Sequence, residues 1–101
     1  MNNNIETKLW VNNVSIALNP FAEEFLARTV IGAVSSLKGA ENVRDLELHM
    51  EGGDVKIAVN GRELVITPFP RDIITSTIIG LVSSLKGINK VDSLRVKVKA
   101  A

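Results

Sequence analysis

Two serine pairs and one histidine are the side chains of this sequence that could support nucleophilic catalysis. The pairs are Ser35 with Ser36 and Ser83 with Ser84, and His49 is the only histidine. A serine hydroxyl becomes a nucleophile when a neighbouring base, usually histidine, takes its proton. His49 lies on a predicted strand far along the chain from either pair, so we expect no nucleophile–base pair and predict that the protein is not an enzyme.

Three carboxylates alternate along the predicted strand that holds His49: Asp45, Glu47 and Glu51. Alternate residues share one strand face, and a solvated face accounts for this spacing without a bound metal. Cysteine is absent and histidine occurs once, which excludes disulfides, thiolate ligands and histidine-rich zinc sites. No glycine-rich loop lies between a strand and a helix, where a phosphate would bind. We therefore predict no metal and no cofactor.

A basic run near the C-terminal end could contact nucleic-acid phosphates. Its candidate contact residues are Lys90, Arg95, Lys97 and Lys99. Aromatic residues, on which bases could stack, make up only 4% of the chain. The net charge of +1 is also too small to steer a polyanion towards the protein. Nucleic-acid binding is therefore our second hypothesis.

The elements that must position these residues come from a sequence unit that occurs twice. N-P-F followed by V-I-G-A-V-S-S-L-K-G returns as T-P-F followed by I-I-G-L-V-S-S-L-K-G, at a constant offset of 48 residues without a gap. We infer a tandem duplication within one domain over residues 1–101, with repeats at residues 5–51 and 54–99. The repeated N-P-F…G-x-V-S-S-L-K-G pattern resembles small uncharacterised prokaryotic proteins. That resemblance covers one unit at a time and implies a cytoplasmic setting but no activity.

Each unit predicts strand, tight turn, strand, helix and strand. Apolar and polar residues alternate over residues 5–11 and 55–59, as in half-buried strands, and Asn60-Gly61 is a strong hairpin signal. The returning strands are predicted at residues 14–18 and 63–66, and the closing strands at 43–51 and 91–99. The fold class is α+β: two ββαβ units form one pseudo-twofold domain of about six mainly antiparallel strands, with two helices on one face. One continuous sheet and two three-stranded sheets joined through the helices both satisfy this pattern.

The helices are predicted over residues 20–38 and 68–86. Asn19 and Thr67 are N-cap residue types, and Gly39 and Gly87 are placed to end the helices in the left-handed conformation. One apolar stripe on each helix should cover the sheet. These stripes are Leu26, Val30, Ala33, Val34 and Leu37 in the first helix, and Ile74, Ile78, Leu81, Val82 and Leu85 in the second.

A second helix face carries a candidate interface. Glycine within a helix costs about 1 kcal/mol relative to alanine, so matched glycines indicate a groove where another backbone approaches. Three interpretations stay open: the two helices cross each other there, the face packs on a partner subunit, or the groove holds a ligand. Phe21 and Phe69 could belong to this face or could pack on the sheet edge. The candidate interface residues are Phe25, Thr29, Gly32 and Ser36, with Ile73, Thr77, Gly80 and Ser84.

Trp10 completes the candidate interface. It is the only tryptophan and alternates with apolar neighbours, so it falls on the solvent side of its predicted strand. An exposed tryptophan is a typical interface anchor. An error of one residue in the strand phase would bury Trp10 instead, and the sequence leaves both interpretations open.

The charges of the two closing strands have opposite signs. Asp45, Glu47 and Glu51 correspond to Ser93, Arg95 and Lys99 in the second unit. Divergence after gene fusion would let an acidic strand lie beside a basic one or stack end to end with it. Each opposite pair between neighbouring strands contributes about 0.2–1 kcal/mol.

The function predicted from these features is a non-enzymatic interaction or scaffold domain. Its partner is expected to be a protein, including a second copy of itself in a homo-oligomer. A nucleic-acid-binding module ranks second and an enzyme last. The apolar stretches are shorter than the roughly 20 residues of a membrane span, so we expect no membrane insertion and a cytoplasmic location.

Overall fold

The computed structural model describes residues 5–85 and 87–100. In chain order its elements are the strands β1 (Ile5–Val11) and β2 (Val14–Ile16), the helix α1 (Pro20–Ser35), the strands β3 (Asp45–Glu51), β4 (Asp54–Val59) and β5 (Arg62–Glu63), the helix α2 (Pro68–Ser83) and the strand β6 (Ser93–Ala100). The order of elements is therefore ββαβ twice, as the sequence predicts.

All six strands form one sheet in the order β2-β1-β6-β3-β4-β5. Every neighbouring pair is antiparallel. The α+β prediction is confirmed, and the choice that the sequence left open is resolved in favour of a single continuous sheet.

The pairing registers repeat at the offset of the sequence repeat. Leu9 of β1 lies opposite Val96 of β6, and Ile57 of β4 lies opposite Leu48 of β3. At the centre of the sheet, Leu48 lies opposite Val96, its own counterpart 48 residues away. The counterparts are β1 and β4, β2 and β5, and β3 and β6. When each strand is exchanged for its counterpart, the order counted from one edge equals the order counted from the other. The gene duplication that would explain this regularity stays a prediction.

Both helices cover the same face of the sheet, where alternate strand residues form one apolar core with them. Each such side chain stabilises the fold by about 1.5–3 kcal/mol when it is fully buried. The predicted helix stripes face this core, with Ala33, Leu37, Leu81 and Leu85 only partly buried. The buried core residues are Leu9, Val11, Leu26, Ala27, Val30, Val34, Ala40, Leu46, Leu48, Met50, Ile57, Val59, Ile74, Ile78, Val82, Leu94, Val96 and Val98.

Both helices end about one turn earlier than predicted, at Ser35 and Ser83. In α1 the next amides bond three residues back, as Leu37 N–H does to the Val34 carbonyl at 2.9 Å, and this tighter turn stops the α-helix. Gly39 has a φ of +85° as predicted, but it lies in the turn after the helix rather than at its end. Lys86, the predicted end of the second helix, lies outside the described residues.

The closing strands begin two residues later than predicted because a turn side chain holds the preceding chain. Asn60 Oδ1 accepts hydrogen bonds from the N–H groups of Arg44 and Asp45, at 2.9 and 3.0 Å. Asn12 holds the N–H groups of Asp92 and Ser93 in the same way. The returning strands are also shorter than predicted, at residues 14–16 and 62–63, because the chain turns from the sheet edge towards the helix layer.

Candidate functional site

The outer surface of the helix layer exposes large apolar side chains. Phe21 and Phe69 are 74% exposed, and Phe25 and Ile73 are 49% exposed. Each of these pairs occupies matched positions in the two helices. We call this surface the helix face, formed by Phe21, Phe25, Thr29, Gly32 and Ser36 of α1 and Phe69, Ile73, Thr77, Gly80 and Ser84 of α2. The predicted interface residues of the helices therefore lie on one side of the molecule.

The glycines of the helix face have open space in front of them. A Cβ atom built at Gly32 or Gly80 would meet no atom within 4 Å. The interpretation in which the two helices cross at these glycines is therefore wrong. Side chains such as Leu26 and Leu81 line the space between the helices instead, so the glycine stripes point outwards.

The two phenylalanines at the helix starts are not packed on the sheet edge, since three quarters of each side chain is exposed. Phe21 instead contacts Phe25, with ring centroids 5.6 Å apart and planes inclined by 59°. Tilted aromatic pairs of this kind stabilise each other. The edge-packing interpretation of Phe21 and Phe69 is therefore wrong.

The serines of the helix face have their hydroxyl groups occupied. Ser36 Oγ donates to the Gly32 carbonyl at 3.2 Å, and Ser84 Oγ donates to the Gly80 carbonyl at 2.9 Å. His49 lies on the other side of the sheet, because Leu48 and Met50 beside it point into the core. The structure does not bring histidine and serine together.

A groove of about 290 Å³ runs between the start of α1 and the end of α2. This volume is at the lower limit for small-molecule sites, which need a few convergent polar groups. The polar residues here are Asn19 and Ser84, whose side chains already bond the Ala22 amide and the Gly80 carbonyl. The groove is better suited to an apolar side chain of a protein partner than to a polar ligand. It is lined by Asn19, Phe21, Ala22, Phe25, Leu26, Leu81, Ser84 and Leu85.

The face of the sheet opposite the helices is called the open face. On it the acidic strand β3 lies beside the basic strand β6, one of the arrangements expected from their charges. Asp45 lies opposite Lys99, and Glu47 lies opposite Lys97. Lys99 also faces Glu6 on β1. Lys97 and Lys99 therefore each have a carboxylate opposite, whereas Arg95 lies opposite His49 and Trp10. Lys90 lies away from them in a loop and contacts Asp92 at 3.6 Å.

Trp10 lies on the open face, between the buried residues Leu9 and Val11. The interpretation in which Trp10 enters the core is therefore wrong. Its ring is half-buried, and the Arg95 guanidinium lies 4.2 Å from the ring centroid. A cation–π contact at such a site contributes about 0.5–1 kcal/mol, so the Trp10 ring already has a partner within its own chain.

Sequence reasoning missed a contact between the first helix and the sheet edge. Glu23 Oε2 accepts a hydrogen bond from the N–H of Thr7 at 3.1 Å. The counterparts of these residues are Arg71 and Val55, a reversal of charge at the helix position. A residue-by-residue comparison of the repeats would have revealed this reversal, but not the contact itself.

Within residues 5–85 and 87–100, no three His, Asp or Glu side chains lie close enough together to hold a metal ion. Neither of the helices described there combines the length and the hydrophobicity that crossing a bilayer requires.

No protein-family model, no curated protein and no solved structure matches this chain. The resemblance to small prokaryotic proteins therefore stays a prediction, and the function must be inferred from the surfaces.

Proposed function

We propose that this protein is a cytoplasmic, non-enzymatic interaction domain that forms a homodimer through its helix face. The observation that carries the proposal is the pairing of exposed side chains with empty space on one surface. Phe21, Phe25, Phe69 and Ile73 protrude, and the helix glycines leave grooves with no neighbouring atom.

The size of the helix face supports a stable contact. A helix of 16 residues is about 24 Å long, at about 1.5 Å per residue. Two such helices packed about 10 Å apart present a surface of roughly 500 Å² in projection. Protruding side chains raise the accessible area towards the roughly 800 Å² per partner of a standard interface.

The helix face is complementary to itself. The start of α1 lies beside the end of α2 across the groove, so Phe21 and Phe25 lie across from Ser84. A twofold axis parallel to the helices would place Phe25 of one copy over Gly80 of its mate. Closed dimers use such isologous contacts, in which the same patch serves both copies.

Charged side chains adjoin this surface, and Arg28 lies one helical turn from both Phe25 and Gly32. Glu24 and Arg28 form an ion pair at 2.8 Å on the exposed side of α1, and Arg71 contacts Asp72 on α2. The ten residues of the helix face carry no charge. Exposed aromatic residues together with arginine are a composition that is enriched at protein interfaces.

Nucleic-acid binding ranks second because two of the candidate basic residues on the sheet have acidic neighbours and the third, Arg95, contacts the Trp10 ring. Lys97 and Lys99 lie opposite Glu47 and Asp45, so a polyanion would meet carboxylates together with the ammonium groups. Such a module would be retained on a polyanion column and released by moderate salt or by Lys97→Glu.

Sedimentation velocity from micromolar to millimolar concentration tests the dimer. We expect wild-type protein to approach twice the mass of the chain, and Phe25→Ser to remain monomeric over the same range. Val14→Ser provides the matched control, because Val14 is also an exposed apolar residue but lies on β2. A wild-type protein that stays monomeric, or a dimer that Phe25→Ser leaves intact, would contradict the proposal.

A further inference from the structure

Among residues 5–85 and 87–100, two stretches of the sheet edge are not covered by another strand. The short strand β2 pairs only with residues 9–11 of β1. At the opposite edge, β5 pairs with Ala58 and Val59 of β4, and Leu64 N–H adds one bond to the Ile57 carbonyl. The first residues of β1 and β4 therefore have no described strand on their outer side.

Alternate residues of an antiparallel strand direct their N–H and C=O groups to the same side. Ile57 uses this outward side of β4 to accept from Leu64, so Val55, two residues earlier, directs its own N–H outwards as well. Thr7 occupies the matching position on β1, and its N–H also points away from the sheet. Thr7 and Val55 are thus equivalent edge amides.

The edge at β1 is closed by the chain itself. Glu23 of α1 reaches down and accepts the Thr7 N–H at 3.1 Å. A charged side chain that covers an exposed strand edge blocks the addition of a foreign strand. The first half of the molecule therefore supplies its own carboxylate at this point.

The edge at β4 has a positive charge where the other edge has a negative one. Arg71 replaces Glu23, and a guanidinium can only donate hydrogen bonds, so it cannot accept the Val55 N–H. Within the part of the chain that the structure describes, no group accepts from that amide. Arg71 and Val55 line one groove of about 520 Å³, in which Val65 is 97% exposed. We call this the β4-edge groove, lined by Asp54, Val55, Lys56, Glu63, Leu64, Val65, Ile66 and Arg71.

We propose that the β4-edge groove binds an extended peptide segment of another protein through a glutamate or aspartate side chain. The carboxylate occupies the place that Glu23 holds at the other edge, accepting from Val55 N–H and from the Arg71 guanidinium. The peptide lies extended along the edge of β4, where one of its backbone N–H groups donates to the Val55 carbonyl, which points to the same side as the Val55 N–H. An apolar side chain of the peptide packs on Val65.

Arg71 is available for this role. Its contact with Asp72 joins Nε to Oδ1 at 3.6 Å, between side chains that are 42% and 73% exposed. A surface pair of this kind contributes little, and it leaves both terminal NH₂ groups to bind a carboxylate by charge-assisted hydrogen bonds. Asp54 and Glu63 in the same groove repel further negative charge, so the site favours a peptide with one acidic residue over an acidic run.

A blocked pentapeptide of threonine and valine with one central glutamate is the probe. We expect it to shift the Val55 amide resonance and the Arg71 Nε–H resonance in nitrogen-15 spectra. Replacing its glutamate by glutamine, or Arg71 by glutamine in the protein, should weaken binding about tenfold, because hydrogen bonds to charged groups are lost. Glu23→Gln is the matched control and should leave the affinity at β4 unchanged.

Arg71→Glu gives an independent test that needs no peptide. This substitution reproduces the arrangement at β1, so the Val55 amide should exchange with solvent more slowly and the peptide should no longer bind. Equal affinity for the glutamate and glutamine peptides, or shifts confined to Trp10 or the helix face, would overturn the proposal. The sedimentation mass is measured separately on the same variants, so a failure of this site is distinguishable from a failure of the dimer.

Discussion

The two halves of the molecule share a backbone plan and differ in a few side chains that face outwards. Their helices have the same length, and their strands pair in matching registers. Asn12 Nδ2 donates to the Lys90 carbonyl, and Asn60 Nδ2 donates to the Asn42 carbonyl. Each asparagine thus connects its hairpin turn to the loop before a closing strand. Glu23 nevertheless closes one sheet edge, whereas Arg71 leaves the other open. Alternating apolar residues and turn residues therefore determine the fold, and single surface substitutions give the two sheet edges opposite charges.

The largest expected effect on stability comes from truncating a core side chain in either half of the molecule. Leu9 and Ile57 are counterparts, each 1% exposed in the shared core, so we expect Leu9→Ala and Ile57→Ala each to lower the free energy of unfolding by about 2–5 kcal/mol. Urea unfolding followed by Trp10 fluorescence and by circular dichroism measures this. Because both helices share one core, the two signals should change together in both variants.

Separate transitions for the two signals would contradict the single core. Trp10 is the only tryptophan and belongs to the first half, although its ring contacts Arg95 of the second half. If Ile57→Ala unfolded the second half and left the fluorescence transition in place, the halves would be independent units rather than one domain.

A smaller effect should separate the two helix starts. Asn19 Oδ1 accepts the Ala22 N–H at 2.7 Å, whereas Thr67 makes no side-chain cap bond. We expect Asn19→Ala to destabilise the protein by about 1 kcal/mol, and Thr67→Ala to change the stability much less. Chemical unfolding of both variants checks this difference, and equal losses would show that the two caps are equivalent in solution.

Much of this comparison could be predicted from the sequence, and the reasons differ by element. The alternation around Leu9 and Val11 favoured the open face for Trp10 because a strand has a period of two residues, but the sequence alone also allowed an error of one residue in phase. The first helix ends early because the N–H groups of Ser36 and Leu37 bond carbonyls three residues back. Helix propensities of single residues do not predict such bonds. The Glu23–Thr7 contact depends on how the helix docks over the sheet edge, which local pattern does not determine.

The strand order could not be predicted from the sequence, for a related reason. β1 pairs with β6, whose partner residues lie more than 80 positions away, as Leu9 and Val96 show. Several long-range pairings satisfy the same alternation of apolar residues, so the sequence allowed one sheet or two. The exposure of Phe25 and the open space at Gly32 likewise depend on how the two helices are spaced on the sheet.

The smallest expected effect concerns the oppositely charged central strands. Glu47 lies opposite Lys97, so Glu47→Lys should lower the stability by about 0.2–1 kcal/mol at low ionic strength. The loss should shrink in high salt, which screens surface charges. Thermal unfolding at two salt concentrations measures it. Glu41→Lys in an exposed loop is the control with the same change in net charge, and an equal loss in that control would remove the role of cross-strand pairing.

Self-association through the helix face is tested most directly by contacts between chains. In a sample that mixes labelled and unlabelled protein, isotope-filtered nuclear Overhauser spectra detect protons of two copies that approach within about 5 Å. We predict such contacts between phenylalanine ring protons of α1 in one copy and the Gly80 α-protons of its mate. Contacts between copies at the open face of the sheet, with none at Gly32 or Gly80, would contradict the account.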